Sequence, residues 1–567
     1  MLNTHGSGIA DVFQLEPSTR QALFPYETMV PNPLRNPQFA TTLAHGLALL
    51  NCFKVGDPVL SNKDFAERTG LSKATVSRLT YTLAMLGFLR YDNTVRKYRL
   101  GSAVVSVGYP LLQGLRIREL ARPLMRELAD VARGSVSLGI RDRTQIVYVE
   151  TARGHELPTF RPDTGASLPI LASAMGRAWL GRAEPAQRAA VLEQVRVGDP
   201  VQWDAYHTDL AAALRTFAER GFALSEGDVE REIHAVAVPM REPINSETFV
   251  FNCGVPRLQL TDRTLVDVVA PRLVAMVDTL ERQLASQQVA GDDARTAPSP
   301  PLVERASVDS FPDDDDRQFA FTLARGLEIL RCFQPGEVAL GNKDFVARTA
   351  LSKATVSRLA YTLTELGYLR HDETARNYRL GGGVLSMGYP LLAGMRIRQI
   401  ARPFMRELAL QVRGSVSLGM RDQSNMVYIE CCPGDKRIRA RPDVGAVRPI
   451  LRMAMGRAWL AAVAPQEREV ALNRLRIAVP DQWQQYGAQV QQALHDYQQT
   501  GACFSYGDAQ KNAYGVGVPL CAPVDAETLV FNCAVPAQSA QGRRLIDDIA
   551  PRLLTMVSKV EIAAGLR

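Results

Sequence analysis

The stretch that decides the fold is LSKATVSRLTYTLAMLGFLRYDNTVRKYRL at 71–100, because it returns at 351–380 as LSKATVSRLAYTLTELGYLRHDETARNYRL. Twenty-two of the thirty positions are identical. The offset of 280 residues also holds for MGRAWL, found at 175–180 and again at 455–460. Solenoid repeats have periods of only about 20–50 residues. The 567-residue chain therefore contains two complete multi-domain units in tandem, here named copy 1 and copy 2.

The repeated stretch has the pattern of a helix followed by a hairpin. Ser72 is placed to cap a helix. Apolar residues then recur every three or four positions and predict one buried stripe, formed by Val76, Leu79, Leu83 and Leu86. After Gly87, two short extended runs are joined by a polar turn at Asn93 and Thr94, which predicts a β-hairpin.

Two further helices are predicted upstream of this stretch. One covers about 39–53, where apolar residues fall on one face, and the other begins near Asn62 and ends at Gly70. The order helix, turn, helix and basic hairpin predicts a winged helix-turn-helix.

The exposed side of this module carries hydroxyl and cationic side chains. Short hydroxyl side chains allow a close approach to the major groove, and Lys and Arg reach phosphates or guanine edges. In copy 1 the predicted DNA contacts are Lys73, Thr75, Ser77, Arg78, Tyr81, Arg96, Lys97 and Arg99. In copy 2 they are Lys353, Thr355, Ser357, Arg358, Tyr361, Arg376 and Arg379, with Asn377 in place of Lys97. A solvated basic helix without a ligand is the alternative, and the repetition of the pattern disfavours it.

The remainder of each copy predicts a domain of mixed strands and helices. A helical pattern over 109–134 indicates a helix that connects the front of the copy to its back. A hairpin is predicted around Arg141–Arg143, strands at 222–225, 235–240 and 248–255, and helices at 174–182, 205–220 and 262–285. This order indicates an α+β domain with a mostly antiparallel sheet.

One strand of this domain, FVFNCGV at 249–255, has a polar residue on an otherwise apolar surface. Alternation places Asn252 and Gly254 on one face and Phe251 and Cys253 on the other. An asparagine beside a glycine can line a small-molecule pocket. A surface-facing or edge-strand asparagine is the other interpretation.

Composition excludes several classes of protein. A hydrophobic fraction of 46% and a charged fraction of 22% argue against a disordered chain. No apolar run of about 18 residues predicts a transmembrane helix, and the first residues show no secretory pattern. Eight scattered cysteines fit a reducing compartment, so a cytoplasmic protein without a membrane partner is expected. A net charge of +7 permits a polyanionic partner.

Enzymatic chemistry is not predicted. None of the seven histidines recurs in the other copy, and HExxH, P-loop and GxSxG motifs are missing from the sequence. The shared cysteines lie in apolar runs, where buried structural thiols are usual, and Cys431-Cys432 has no further ligands beside it in sequence. We therefore expect no catalytic residue, no metal and no cofactor.

LSKATVSRLTYTLAMLGFLRYD followed by KYRLG resembles the DNA-binding segment of the IclR-type family of bacterial transcriptional regulators. GSVSLGIRDRTQIVYVE and LPILASAMGRAWLG resemble that family's effector domain. The resemblance covers about 39–285 and 319–565. It implies an α+β fold in which a winged helix-turn-helix precedes a GAF-like effector-binding domain in each copy. It also implies double-stranded DNA and a small organic acid, an aromatic one included, as partners, and self-association of the protomers. The fusion departs from the family, whose ordinary members are single copies.

The expected organisation follows from the two copies. The front modules, each a winged helix-turn-helix, cover 38–105 and 318–385. The back modules, each a connecting helix with a GAF-like effector domain, cover 106–285 and 386–567. A flexible tail is expected at 1–37 and a disordered linker, rich in Pro, Ser, Ala and Asp, at 286–317.

The resemblance implies effector contacts from the C-terminal strand and from the loop and helix start at 168–175. In copy 1 the expected contacts are Arg161, Leu168, Ile170, Ser173, Met175, His234, Asn252 and Gly254. In copy 2 they are Arg441, Arg448, Ile450, Met455, Tyr514 and Asn532. For Arg161 and Arg441, a carboxylate of the ligand is one partner and a plain salt bridge to the nearby Asp163 or Asp443 is the other interpretation.

The two pockets are expected to differ. Leu168, Ala172 and Ser173 are replaced by Arg448, Arg452 and Met453, and His234 is replaced by Tyr514. Added guanidinium groups change which anions a pocket accepts. The hypothesis is that the copies recognise different effectors or that one has lost binding.

A scaffold or small-molecule-binding protein without specific DNA recognition is the alternative function. The dependence of DNA binding on salt separates the two, because a protein that neutralises several phosphates loses affinity steeply as salt rises.

Overall fold

The computed structural model describes residues 36–154, 163–260, 265–290, 316–434, 443–540 and 544–567. Front module 1 has three helices and a two-stranded antiparallel sheet, in the order α1 (Thr41–Asn51), α2 (Asn62–Thr69), α3 (Lys73–Met85), β1 (Leu89–Asp92) and β2 (Lys97–Leu100). The predicted winged helix-turn-helix thus has its elements in the expected order.

Local hydrogen bonds explain the turn between α2 and α3. Ser61 caps α2, since its hydroxyl accepts the backbone N–H of Asp64. Gly70 ends that helix with a left-handed φ of 70°. Ser72 caps α3 by accepting the backbone N–H of Thr75, as the sequence predicts. Helix α2 begins at Asn62, as the sequence predicts.

The connecting segment of copy 1 is broken into short helices, in contrast to the single helix predicted over 109–134. They are α4 (Ala103–Ser106), α5 (Tyr109–Gly114) and α6 (Ile117–Ala132). The break falls at Leu115, whose φ of −88° and ψ of 75° are not helical, directly after Gly114. Glycine is a poor helix former, which explains the position of the break.

Back module 1 is a six-stranded antiparallel sheet between two layers of helices, with strand order β5-β4-β3-β8-β7-β6. Its strands are β3 (Ser135–Asp142), β4 (Gln145–Arg153), β5 (Ser167–Pro169), β6 (Ala223–Glu226), β7 (Ile233–Pro239) and β8 (Val250–Pro256). Its helices are α7 (Ala174–Arg182), α8 (Pro185–Gly198), α9 (Pro200–Arg220), a π-helix (Leu265–Val269) and α10 (Ala270–Ala290). The α10 helix continues to Ala290, inside the stretch predicted to be a linker.

The predicted alternation of the 249–255 strand is confirmed. Phe251 and Cys253 pack into the core shared with α6 and α10, whereas Val250 packs into a second core against α7. Asn252 is therefore on the α7 side of the sheet, where the sequence places a pocket.

Copy 2 repeats this architecture. Its front module contains α11 (Phe321–Arg331), α12 (Asn342–Thr349), α13 (Lys353–Glu365), β9 (Leu369–Asp372) and β10 (Asn377–Leu380). Its connecting segment contains α14 (Gly383–Gly394) and α15 (Arg396–Val412). Its sheet contains β11 (Ser415–Asp422), β12 (Asn425–Pro433), β13 (Val447–Pro449), β14 (Cys503–Tyr506), β15 (Ala513–Pro519) and β16 (Val530–Pro536). Its remaining helices are α16 (Ala454–Ala462), α17 (Pro465–Ala478), α18 (Pro480–Thr500), a π-helix (Leu545–Ile549) and α19 (Ala550–Ala564).

The two front modules pack against each other through α1 and α11. A Cβ on Gly46 would overlap Cδ1 of Leu323, and a Cβ on Gly326 would overlap Cδ1 of Leu43. The contact is reciprocal, because each glycine accepts the leucine of the other copy. The chain thus folds as an intramolecular pair of copies.

Reciprocal hydrogen bonds reinforce this pairing. The backbone N–H of Ala40 donates to Oγ1 of Thr362, and that of Ala320 donates to Oγ1 of Thr82, each at 2.8 Å. Both threonine hydroxyls are buried, so each bond satisfies a backbone donor that has no water available.

The copies also cross over, because each front module contacts the back module of the other copy. Arg90 on β1 forms an ion pair of 2.6 Å with Glu527. Its counterpart Arg370 on β9 pairs with Glu247 and donates to the backbone carbonyl of Arg141. No helix among the described residues is both long enough and apolar enough to cross a lipid bilayer.

Candidate functional site

The N-terminal halves of α3 and α13 form an open cationic and hydroxyl-bearing face. Lys73, Ser77 and Arg78 are exposed, and so are their counterparts Lys353, Ser357 and Arg358. Thr75 and Thr355 are half-buried, and their hydroxyls lie 3.0 and 2.9 Å from the capping hydroxyls of Ser72 and Ser352. Most of the residues predicted to contact DNA on these helices are therefore brought to the surface. Arg78 also donates from Nη2 to the backbone carbonyl of Phe319 in copy 2 at 3.3 Å.

Tyr81 and Tyr361, in contrast, lie at the junction between the copies. The Tyr81 hydroxyl donates to Oδ2 of Asp316 at 3.2 Å, and this hydrogen bond raises the pKa of Tyr81. The Tyr361 hydroxyl accepts from Nδ2 of Asn36 at 3.0 Å. Each tyrosine thus holds the segment that leads into the first helix of the other copy, and this partner could not be identified from local spacing.

The hairpin arginines divide into exposed and paired ones. Arg96 and Arg376 lie at the hairpin tips, exposed, with φ of 54° and 51°. Arg99 is only 16% exposed; its Nε is 2.8 Å from Asp92 and its Nη1 is 3.2 Å from Asp525 of copy 2.

The remaining hairpin positions are partly engaged. Lys97 stays 40% exposed, with its Nζ 3.5 Å from Asp64. Arg379 donates to the backbone carbonyl of Asn245 at 3.2 Å and lies 3.7 Å from Asp372. Arg99 and Arg379 therefore connect each hairpin to the back module of the other copy, and Asn377 is half-buried.

The residues predicted to line a pocket in copy 1 are mostly apolar and buried. Leu168, Ile170 and Met175 are buried, and the Ser173 hydroxyl caps α7 by accepting the backbone N–H of Gly176 at 3.1 Å.

Asn252 is buried beside this apolar set. Its Nδ2 donates to the hydroxyl of Tyr148 at 3.3 Å, while its Oδ1 has no hydrogen-bond partner among the described residues. Burial raises the pKa of Tyr148. His234 and Gly254 are half-buried on the neighbouring strands.

The candidate pocket of copy 2 is more polar. Ile450, Met455 and Asn532 are buried as their copy 1 counterparts are. Tyr514 is half-buried and packs edge-on against Tyr506, with 5.4 Å between ring centroids.

Arginines and tyrosines give this pocket its polar character. A cleft of about 3000 Å³ runs between the copies. From copy 2 its lining includes Tyr428, Arg448, Arg452, Met453, Tyr486, Tyr514 and Asn532. Among the described residues that line the cleft, the copy 1 counterparts Leu168, Ala172, Ser173, Tyr206, His234 and Asn252 do not occur.

Arg161 and Arg441 lie outside the described residues. The nearby Asp163 and Asp443 are described, and each forms ion pairs with arginines of the other copy. Oδ2 of Asp443 lies 2.9 Å from Arg118 and 2.7 Å from Arg122, both on α6 of copy 1. Oδ2 of Asp163 lies 3.2 Å from both Arg398 and Arg402 on α15. Each back module thus holds the connecting segment of the other copy.

These ion pairs shift the titration of both aspartates. Burial raises the pKa of Asp443, but Arg118 and Arg122 together outweigh it and lower the pKa to about 2. Arg153, Arg398 and Arg402 lower the pKa of Asp163 in the same way. Sequence reasoning missed these arginines, although their recurrence at the 280-residue offset was a visible signal.

The cysteines in the described part of the chain form neither disulfides nor a metal-binding group. Its eight cysteines are free thiols, six of them buried, and it contains no group of three or more His, Cys, Asp or Glu residues able to hold a metal ion.

Comparison with known proteins gives matches to both modules of both copies. The family model described as the IclR helix-turn-helix domain matches residues 42–93 and 322–373. The model described as the bacterial transcriptional regulator IclR C-terminal domain matches 110–282 and 390–561.

Individual relatives match one copy at a time. The HTH-type transcriptional regulator TsaQ1/TsaQ2 of Comamonas testosteroni is 33% identical over 42% of this chain and 87% of that protein. The regulator XynR of Escherichia coli is 31% identical over 35% of this chain and 79% of that protein. An IclR family regulator from Brucella abortus, whose structure is solved, is 38% identical over 45% of this chain and 96% of that chain, with a TM-score of 0.41. TsaQ1/TsaQ2 and XynR are transcriptional regulators, in agreement with the prediction that the chain is not an enzyme.

Proposed function

This chain belongs to the IclR family of bacterial transcriptional regulators, and we propose that it supplies both halves of one DNA-binding unit within a single polypeptide. In this proposal α3 and α13 enter the major groove at two half-sites of an operator. A small organic acid bound in the back modules changes the relative placement of the two helices.

The observation that carries the proposal is the reciprocal packing of α1 on α11. This packing orients the front modules as a pair while Lys73, Arg78 and their counterparts remain exposed. Half-sites one turn of DNA apart are about 34–36 Å from centre to centre, and the proposal requires α3 and α13 to reach both half-sites at that spacing.

Arg78, Arg358 and the hairpin-tip arginines are the residues that we assign to DNA. Side chains on α3 and α13 would reach base edges and phosphates, and Arg96 and Arg376 would contact the backbone beside them. Tyr81, Tyr361, Arg99 and Arg379 are half-buried as well as engaged by the bonds described above, so we assign them to contacts between the copies. Arg78 stays exposed although it donates to the carbonyl of Phe319.

Modulation by a small acid is supported by the cleft and by the ion pairs that join pocket loops to connecting segments. A ligand shifts an equilibrium between two arrangements only by as much as it binds one better than the other. Asp443, shortly before β13, lines the cleft and pairs with Arg118 and Arg122 on α6 of copy 1, so binding in the cleft can bias the position of front module 1.

The test is fluorescence anisotropy with a labelled operator duplex, obtained by selection from random DNA with the full chain. We expect the affinity of the Arg78→Ala/Arg358→Ala variant to fall about tenfold or more, because each arginine contact contributes on the order of 1–3 kcal/mol. The slope of the logarithm of the binding constant against the logarithm of the salt concentration, here called the salt slope, should also become less steep. The expected change is about 0.9 for each phosphate that the variant no longer neutralises.

Arg196→Ala is the matched control. It removes one exposed positive charge on α8, far in sequence from the front modules, where Arg196 pairs only with the exposed Glu193 among the described residues. Affinity and salt slope should stay at the wild-type values. If the double variant binds the duplex as the wild type does, α3 and α13 are not the DNA-reading helices.

A further inference from the structure

At equivalent positions of the two back modules, a backbone carbonyl accepts a hydrogen bond from different side chains. In copy 1, the Tyr206 hydroxyl donates to the carbonyl of Asp228 at 2.9 Å. In copy 2, the equivalent carbonyl of Asp508 accepts from Nε of Arg452 at 3.0 Å. Arg452 occupies the position of Ala172 in copy 1. The arginine has thus taken over the hydrogen bond that the tyrosine makes in copy 1.

Arg452 lines the cleft, and most of its hydrogen-bond donors take no part in this exchange. The bond to Asp508 uses only Nε of Arg452, so the four N–H groups on its two Nη atoms are not used by it. The guanidinium lies 5.6 Å from the ring centroid of Tyr486, within reach of a cation–π contact.

Arg448 adds a second guanidinium at the edge of the same cleft. It lies on β13, where copy 1 has Leu168, and donates from Nη1 to the carbonyl of Val447 at 2.9 Å. It is half-buried, so its charge is only partly screened by water. Two cations thus line a region of copy 2 whose copy 1 counterpart has none at these positions.

Copy 1 contributes an aromatic residue to this region. Tyr109 on α5 is 5% exposed and belongs to the apolar core of back module 2, with Tyr428 and Met453. A Cβ on Gly445 would lie 3.1 Å from Cβ of Tyr109, which shows how closely the backbone just before β13 approaches α5.

Arg448 faces the Tyr109 side chain as well. Burial raises the pKa of Tyr109, while the charge of Arg448 and a hydrogen bond from it act in the opposite direction. The tyrosine of copy 1 and the arginine of copy 2 therefore meet at one point of the cleft lining.

We propose that Arg448 and Arg452 of copy 2, together with Tyr109 of copy 1, form a carboxylate-binding site that exists once per chain. The site takes an organic carboxylate with an aromatic or flat apolar body, which packs among Tyr109, Tyr428 and Tyr486 while its charge meets the guanidinium groups. Paired arginine donors suit a carboxylate, and the tyrosine rings suit its body.

Because only copy 2 has these arginines, the site makes the regulator asymmetric. The proposal rests on the proposed function only in that it specifies where the modulating acid binds. The corresponding positions of copy 1 present Leu168 and Ala172. A carboxylate placed there would lose its hydration without gaining a charged donor from either residue, which is unfavourable.

The experiment is isothermal titration calorimetry of the full chain without DNA. The probes are benzoate, 4-hydroxybenzoate and phenylacetate, each paired with its uncharged amide. We expect at least one acid to bind with one site per chain and its amide to bind at least tenfold more weakly, because the amide lacks the charge that the arginines recognise.

Variants in which residues of copy 2 are replaced by the equivalent residues of copy 1 make the test specific to this site. Arg448→Leu/Arg452→Ala installs the copy 1 residues and should weaken acid binding at least tenfold. Tyr109→Phe should weaken it several-fold, whereas the equivalent Tyr389→Phe should leave the isotherm unchanged. Thermal melting of each variant verifies that it is folded.

Each other outcome contradicts the site. Two equal sites per chain, equal binding of acid and amide, unchanged binding by folded Arg448→Leu/Arg452→Ala, or no binding by any acid at millimolar concentration would each overturn it. The outcome is independent of DNA binding. A chain that binds an acid at this site but ignores DNA would contradict only the proposed function.

Discussion

Arginines of the two hairpins look equivalent in sequence and have different surroundings. Arg96 is exposed at a hairpin tip, whereas Arg99 joins Asp92 and Asp525. We predict that Arg96→Ala weakens operator binding and lowers the salt slope by about one, because it removes one phosphate contact. Anisotropy titrations over a range of salt concentrations measure both quantities.

For Arg99→Ala we predict a loss of stability instead. Asp92 is buried at 3% exposure and would lose its charged partner. Removal of one partner of a buried hydrogen bond costs about 1–3 kcal/mol. The free energy of unfolding in urea should fall by that amount. If Arg99→Ala lowers the salt slope as much as Arg96→Ala without a change in stability, Arg99 contacts DNA and its assignment here is wrong.

The sequence predicts which side chains of a helix are exposed, because the periodicity of the apolar residues determines its buried face. Lys73, Ser77 and Arg78 are exposed as expected, because a buried stripe fixes the opposite face of α3. The roles of Tyr81 and Arg99 could not be predicted, since their partners Asp316 and Asp525 lie more than 200 residues away in sequence. The contribution of Tyr109 to the pocket of copy 2 was hidden for the same reason.

Helices α1 and α11 depend on glycines for their close approach. We predict that Gly46→Val and Gly326→Val separate the front modules, because each added side chain would enter space held by Leu323 or Leu43. Overpacking of this kind costs about 1–3 kcal/mol. Operator affinity should fall for both variants, and thermal melting should show a lower midpoint.

Gly56→Ala is the control for this change. A Cβ on Gly56 meets nothing within 4 Å among the described residues, and this glycine has no positive φ. Its affinity and melting midpoint should match those of the wild type. Full operator affinity in Gly46→Val would contradict the role of the α1–α11 contact.

At the scale of helices and strands, the sequence predicts most elements but not the break in the connecting segment, helix α8 or the short strand β5. The helix at 174–182 is correct to the residue, because Ser173 supplies a clear cap and an apolar run follows. The connecting segment was expected as one helix, but Gly114 and Leu115 interrupt it. Periodicity continues across such a break, so the pattern alone could not reveal it. The α8 helix was not predicted, because its mean pattern is weakly amphipathic with only Val191 and Val195 buried.

Two reciprocal aspartate–arginine clusters hold the two copies together, and they make the stability of the protein depend on pH. The pKa of Asp443 is about 2, below the usual value near 3.9 in an unfolded chain. The stability it contributes is therefore present above about pH 4 and is lost as the pH falls towards 2. Asp163 acts in the same direction.

We predict that Asp443→Asn lowers the free energy of unfolding at pH 7 by about 2 kcal/mol. The same variant should have a flatter stability profile between pH 5 and pH 2, since one titrating group has been removed. Urea titrations at several pH values measure this. Asp209→Asn, on the exposed side of α9, is the control. An unchanged acid profile in Asp443→Asn would contradict the role of this ion pair.

The pairing of two copies within one chain leads to a direct test at the scale of the whole molecule. One variant carries Lys73→Ala/Arg78→Ala and disables front module 1. A second carries Lys353→Ala/Arg358→Ala and disables front module 2. Each DNA-binding unit in either preparation then contains one intact recognition helix, and operator affinity should fall about tenfold or more in each.

The decisive measurement is the operator affinity of an equimolar mixture of these two variants, unfolded together and refolded. If the front modules pair within a chain, every unit keeps one disabled helix, and the affinity of the mixture stays at the reduced level of the single preparations. A mixture that recovers a population with wild-type affinity would show that front modules pair between chains, which contradicts the account.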